Sequence, residues 1–384
     1  MDRDAGTDLP RRVLFVVPDM HTPPAKGYQV RCLAMAGSLS PRFITRIVSA
    51  RTARTVENLA ADRRPLDRAR ALVGRVLDGR PIQSALFDGL DVAERVRRLA
   101  EDWQPDAIVV VTERLPVTID LLCEWPLIVD AVDSMEQQMS ERASRAIAGV
   151  AYLWKREAGA FRRNAKSISR CASRVLVCSD TARGYHPTAH VIENGAPAYA
   201  SPRPVSTVDL VFSGNLSYWP NVRAALVICE LIAPRVLAAL PHARIAIAGH
   251  NPRAEVKRAC QRAGVELLPN VSDMGSILRS SRLALAPLEW TPGANLKILE
   301  ALSAGTPVLA YRTAAQQVPR DEGIRVCDGP DDMADQAVAF LQGVLDFRPG
   351  DSARFTWASR AKDLERILDE IITDRDGYSA AARS

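Results

Sequence analysis

The chain has 384 residues, of which 47% are hydrophobic, 25% charged and 5% aromatic, with a formal net charge of +5. This is the composition of a globular protein of two or three domains, and it excludes a disordered chain or a coiled coil. No apolar run approaches the ~20 residues that span a bilayer. The positive excess sits in the first half and is mostly arginine, which suits phosphate-bearing partners, while the low aromatic content argues against nucleic acid. The polar start (Met1, Asp2, Arg3, Asp4) lacks the apolar core of a signal peptide, so the expectation is a cytoplasmic protein. Seven cysteines lie scattered at 32, 123, 171, 178, 229, 260 and 327 with no Cys-x-x-Cys pair. Their odd number and spacing point to reduced thiols rather than a disulfide framework or a zinc site.

The residues up to Arg12 read as a tail, after which strand-sized apolar runs alternate with helical stretches. That alternation is the pattern of α/β layers around parallel sheets. The first half predicts strands over 13–18, 44–48, 107–111, 127–130 and 175–178, with helices at about 28–40, 89–102, 114–123 and 141–170. A Pro/Ala/Ser-rich stretch at 194–204 reads as a linker. The pattern then restarts with strands over 208–212, 244–248, 265–268, 283–286, 307–310 and 324–326. Its helices fall near 221–239, 251–263, 273–280, 295–304 and 330–345. A last amphipathic helix, about 352–373, carries Phe355, Trp357, Leu364, Ile367, Leu368 and Ile371 on one face and can pack on either domain. The expected division is a domain over 11–195, a second over 196–350, and a C-terminal helix over 351–374 that packs back across them.

Segment 287–310 reads strand, Pro/Gly loop, helix, Gly-Thr-Pro turn, strand. Gly293, Ala294 and Asn295 open the helix, where free backbone N–H groups and the positive dipole end favour an anion. Lys297 and Glu300 are three apart and share a face. A lysine suits a phosphate oxygen, and a carboxylate suits the paired hydroxyls of a ribose. From spacing alone, the pair equally fits an ordinary solvated helix start.

The run Glu300-Ala-Leu-Ser-Ala-Gly-Thr-Pro-Val resembles the donor-binding signature of the family-four glycosyltransferases of GT-B fold. The first glutamate of that family's Glu-x7-Glu pair falls here on Pro292. Gly293, Asn295, Lys297 and Glu300 together resemble the subgroup associated with exopolysaccharide assembly. Segment 211–221 resembles the start of that subgroup's C-terminal domain, where Gly214 brings backbone close to a ligand and Asn221 can cap the next helix. Asn215 stands where many members carry an arginine, leaving the diphosphate charge to Lys297, backbone N–H groups or Arg223. The Glu-Asn-Gly-Ala-Pro run ending at Pro197 resembles the junction turn of the family. Gly249 and His250 resemble its next glycine turn, and the segment around Val271 resembles the one that cradles the base. Upstream, Lys26, Gly27 and Arg31 resemble the glycine loop that approaches the donor diphosphate, with His21 just before it.

Asp133, at the end of the 127–130 strand, falls where related enzymes hold the acceptor. It can hold a hydroxyl or act as a base, or simply cap the following helix. Stretch 151–174 is rich in Lys and Arg with Leu153, Trp154, Phe161 and Ile168 between, which fits either a solvated helix face or contact with an anionic membrane.

The resemblance implies a GT-B protein, α/β, with two facing Rossmann-like domains and an interdomain cleft. It implies a retaining, metal-independent glycosyltransferase without a cofactor, a nucleoside diphosphate sugar serving as co-substrate. The acceptor is a glycan, a lipid-linked molecule or a natural product. Lys297 and Asp133 are the expected catalytic residues. Gly27, Gly214, Asn215, His250, Val271, Gly293, Ala294, Asn295, Lys297 and Glu300 are the expected donor-binding set. A nucleotide-sugar epimerase of the same architecture and a degenerate, binding-only subunit are the alternatives.

Overall fold

The computed structural model describes residues 9–21, 26–51, 54–55, 79–199, 204–289, 295–316 and 318–381. The chain divides into two compact units. The first runs to Ile192 and resumes at Arg360, and the second spans Glu193–Ser359. The boundaries expected at 195/196 and 350/351 thus fall at 192/193 and 359/360.

The first unit is built on seven strands: β1 (Arg11–Val17), β2 (Phe43–Ser49), β3 (Arg54–Thr55), β4 (Ala107–Val111), β5 (Leu127–Val132), β6 (Arg174–Val177) and β7 (His190–Val191). Their order is β3-β2-β1-β4-β5-β6-β7, parallel throughout except for β3, which runs antiparallel to β2. Val13 to Val17 and all of β4 are buried. Strands covered on both faces read as continuous apolar runs, which is why these were legible without alternation. The helices are α1 (Gly27–Ser38), α2 (Leu90–Trp103), α3 (Pro116–Leu121), α4 (Met135–Arg145), α5 (Ala148–Cys171) and α6 (Asp180–Arg183).

The single helix expected over 141–170 is two. Ser134 caps α4, its hydroxyl accepting from the Gln137 N–H. Ala146 and Ile147 then adopt extended backbone, and α5 folds back so that Met135 and Met139 bury against Ala158 and Phe161. The sequence reading missed the stripe in α4 because its two anchors are methionines in an otherwise polar run. The expectation of seven free thiols also needs correction. Cys123 and Cys171 form a disulfide with Cα atoms 5.2 Å apart, within the range a disulfide bridges. The other five are free and buried.

The second unit has six parallel strands: β8 (Val208–Ser213), β9 (Ile245–Gly249), β10 (Glu266–Pro269), β11 (Ser281–Ala286), β12 (Val308–Tyr311) and β13 (Ile324–Cys327). The order β10-β9-β8-β11-β12-β13 is that of a doubly wound nucleotide-binding sheet. Around it lie α7 (Trp219–Val227), α8 (Ala233–Ala239), α9 (Ala254–Ala263), α10 (Met274–Arg279), α11 (Leu296–Ser303), α12 (Arg312–Ala315) and α13 (Pro330–Leu341). The helix expected over 221–239 is a continuous run with a π-turn at Ile228–Ile232. The turn lies just before Pro234, whose ring and missing N–H would break a regular α-helix.

The last expected helix begins as a 3-10 turn, Ser352–Phe355, before α14 (Trp357–Ala381). The junction is tied within the second unit by a parallel bridge between Ala196 and Thr356. Beyond Arg360, α14 belongs to the first unit. There Asp369 pairs with Arg11 at 3.1 Å, and Glu365 accepts from the Ser40 N–H at 2.6 Å.

Candidate active site

In the second sheet the strand order reverses direction between β8 and β11, and ligands of such sheets sit beyond the carboxyl ends of the strands at that reversal. Gly214 follows β8, and α11 follows β11, so the reversal brings Gly214 to Lys297. A Cβ on Gly214 would stand 2.9 Å from Asn221 Nδ2 and 3.1 Å from Lys297 Nζ. The Lys297 ammonium donates to Asn221 Oδ1 at 2.5 Å and lies 4.6 Å from the Phe212 ring centroid. Lys297 as a whole is half-buried. Burial pushes its pKa down to about 7, against which Glu300 pulls upward. Glu300 is half-buried as well, and desolvation pushes its carboxyl up to about 7, opposed by Lys297. The two groups act on each other through charge, each opposing the effect of burial on the other, and the pair can supply a cation and a carboxylate to one ligand.

Asn221 was expected to cap α7. It lies inside the helix instead, with Tyr218 as the cap. Its amide bridges Lys297 Nζ and the Asn215 carbonyl, which accepts from Nδ2 at 3.0 Å. The Asn215 side chain accepts from the Ser217 N–H at 3.0 Å and hydroxyl at 2.8 Å and so shapes the turn. Asn295 precedes α11 and is buried, its Nδ2 donating to the Ala314 carbonyl at 3.0 Å. His250 is exposed and Val271 half-buried. The His250 carbonyl accepts from the Leu216 N–H at 2.8 Å. Gly293 and Ala294, with Pro292, lie outside the described residues.

Tyr199 had no sequence signal. Its ring packs against Gly275, where any Cβ would overlap it. Burial first, then the Glu300 and Asp273 carboxylates, push its pKa upward, which places a neutral phenol beside the site. Gly249 was read as a turn glycine. Its deeper constraint is the Gly214 carbonyl, which a Cβ there would overlap. Gly249→Ala is expected to destabilise the protein by about 1–3 kcal/mol through overpacking, measured by urea unfolding. An unchanged midpoint would show that the two turns do not abut.

At the first unit's carboxyl edge, two β-branched residues hold left-handed backbone, Thr112 at φ 77° and Val132 at φ 64°. Such strain concentrates at functional sites. Asp130 secures it. Its carboxylate accepts from Arg31 Nε at 2.7 Å and from the Val132 N–H at 3.2 Å, while its carbonyl accepts from the Thr112 N–H at 2.7 Å. Arg31 was expected to offer charge to a ligand. It is only 1% exposed and committed to Asp130, so it braces this edge instead. Asp133 follows the braced segment, and Ser134 rather than Asp133 caps α4. One Asp133 oxygen accepts from the Cys178 thiol at 2.9 Å. Burial raises the Asp133 pKa, against the opposing pull of that hydrogen bond and of Arg31.

Lys26 Nζ donates to Asp19 at 2.8 Å and contacts the Tyr28 hydroxyl at 3.2 Å. His21 Nε2 lies 3.5 Å from the same Asp19 carboxylate. Gly27 opens α1 with no atom within 4 Å of where a Cβ would stand.

Residues 207–343 match the sequence model of glycosyl transferases group 1. No curated protein matches the chain by sequence. Among solved structures the chain is similar to Anabaena Alr3699/HepE, crystallised with UDP, at a TM-score of 0.56 and 14% identity, covering 96% of this chain and 100% of that one. A glycosyltransferase from Rickettsia africae ESF-5 gives 0.58 and 12% identity over 94% and 98% of the two chains. Sucrose-phosphate synthase from Thermosynechococcus elongatus gives 0.56 and 12% over 97% and 100%. At such identities the likeness is one of fold. The chain has the GT-B fold of the solved structures it is similar to, and within it residues 207–343 match the glycosyl transferases group 1 model.

Proposed function

We propose that the protein transfers a sugar from a nucleoside diphosphate sugar to a hydroxyl of a glycan, lipid-linked or small-molecule acceptor, with retention of anomeric configuration and without a metal. The carrying observation is the meeting of Gly214, Asn221 and Lys297 at the strand-order reversal of the matched segment, with Glu300 near enough to Lys297 for their charges to act on each other. Lys297 offers its charge to the diphosphate as the glycosidic bond breaks. Glu300 takes the ribose hydroxyls, and the backbone at Gly214 admits the phosphates closely. In the transfer, the bond from the anomeric carbon to the leaving phosphate oxygen breaks. The acceptor oxygen bonds the same carbon from the same face, and its proton passes to the departing phosphate. Positioning of donor and acceptor supplies much of the remaining rate. The exopolysaccharide-type motif at Gly293 to Glu300 favours a glycan or lipid-linked acceptor.

The UDP and UDP-glucose bound to Alr3699/HepE make UDP-sugars the first donors to test. Incubation of UDP-sugars with an acceptor panel is expected to yield a product whose anomeric configuration equals that of the donor. EDTA is expected to leave the rate unchanged. Loss of turnover restored by Mg²⁺ or Mn²⁺ would remove the metal-independent reading. Isomerised donor without transfer would identify an epimerase, and binding without any product would identify a binding subunit.

A further inference from the structure

The densest run of exposed apolar side chains among the described residues lies at the turn between α4 and the start of α5. Ile147 is 80% exposed, Tyr152 75%, Leu153 46% and Val150 42%, and Ala148 and Gly149 beside them are exposed as well. The hydrophobic cluster between α4 and α5 takes in Trp154, Ala158 and Phe161 of α5, so the exposed apolar residues of its first turn and a half lie outside it. Among the described residues these four large side chains are exposed together, which a folded surface seldom tolerates in one place.

Charge distinguishes what would cover them. Past Leu153 the outward face of α5 carries Lys155, Arg162, Arg163, Lys166 and Arg170, all exposed. Tyr152 shares this face, three residues before Lys155. The one acid of α5, Glu157, is turned inward, 2% exposed, with Arg156 at 2.6 Å and the Ile82 and Gln83 N–H groups on its oxygens. Of these five exposed cations, Arg162 meets the Glu136 carboxylate and Arg163 donates to the Gly79 carbonyl at 2.9 Å. Across the turn Arg142 lies 5.2 Å from the Trp154 ring centroid, adding a cation at the rim of the apolar tip. An ordinary solvated face mixes both signs and ends in polar residues; this one is of single sign and ends in aromatic and aliphatic ones.

We infer that this surface docks on an anionic lipid bilayer. Ile147, Val150, Tyr152 and Leu153 enter the headgroup region, and the cations of α5 meet lipid phosphates. Among the described residues no helix is long and apolar enough to cross a membrane, so the contact is one of lying on the surface. The inference is independent of the sugar-transfer reading, because docking is measured without turnover.

The test is co-sedimentation of the full chain with vesicles of phosphatidylcholine, with or without phosphatidylglycerol. Wild type is expected to pellet with the anionic vesicles, to stay in the supernatant with the neutral ones, and to be released by high salt. Lys155→Gln with Lys166→Gln is expected to lower partitioning about 25-fold. Tyr152→Ser with Leu153→Ser is expected to lower it roughly 10-fold or more. Both double variants should keep the wild-type circular dichroism and melting temperature, since all four positions are exposed or at the rim. Wild type that ignores both vesicle types overturns the proposal. So do variants that pellet as wild type does, and an apolar-tip variant that changes only the molecular mass in solution, which would make the patch a contact between copies of this chain.

Discussion

Lys297→Met is expected to lower kcat by about 10²-fold or more while raising the melting temperature of the ligand-free protein. The rate loss follows if the ammonium stabilises the departing diphosphate, a contribution comparable with one oxyanion donor. The stability gain follows from its surroundings. The ammonium lies 4.6 Å from the Phe212 ring centroid, and burial brings its pKa down from 10.5 to about 7. Between those values the unfolded chain binds more protons than the folded one, so stability falls as pH drops from 10.5 toward 7. Methionine keeps the apolar length and removes that cost. The gain should therefore be full below pH 7 and absent above about 10.5. Thermal unfolding at neutral and alkaline pH, with single-turnover rates, reads both effects. A lower melting temperature would show the ammonium to be well compensated in the empty site. A normal kcat would move the role to Arg223 or to backbone N–H groups.

Glu300→Gln is expected to weaken donor binding roughly 10- to 150-fold, the worth of a hydrogen bond to a charged group. The wild-type pH profile carries a second signature. The bound state needs the lysine charged and the glutamate ionised, which is one proton on the pair, and both groups titrate near 7. Affinity for UDP-glucose, whose own phosphates do not titrate in this range, should peak near neutrality and fall by up to about tenfold per pH unit on either side. Glu300→Gln should abolish the acid limb, and Lys297→Met the alkaline one. Calorimetric titration across this range checks both, and a profile without limbs would place the pair outside the donor site.

Much of this was readable in the order of residues. Buried parallel strands such as 107–111 are continuous apolar runs, and a Gly-Thr-Pro turn before 308–311 marks a strand entry whatever surrounds it. The Lys297 and Glu300 spacing placed both on one helix face, because an α-helix repeats every 3.6 residues in any protein. These are local properties, set by backbone geometry and by which side chains avoid water. The partners of those residues were not local. Asn221 reaches Lys297 across 76 positions, and Arg31 reaches Asp130 across 99. Arg31 looked like a ligand-facing cation until the sheet order set β1 and its following helix beside β4 and β5 and buried the guanidinium. The break at Ala146 and Ile147 likewise left no Gly or Pro signal at those positions, since it depends on Met135 and Met139 finding Phe161. The sequence by itself determined the elements and the faces they present. Only the tertiary structure decided which charges are enclosed, because desolvation depends on what other elements pack around a group, and no spacing along the chain encodes that.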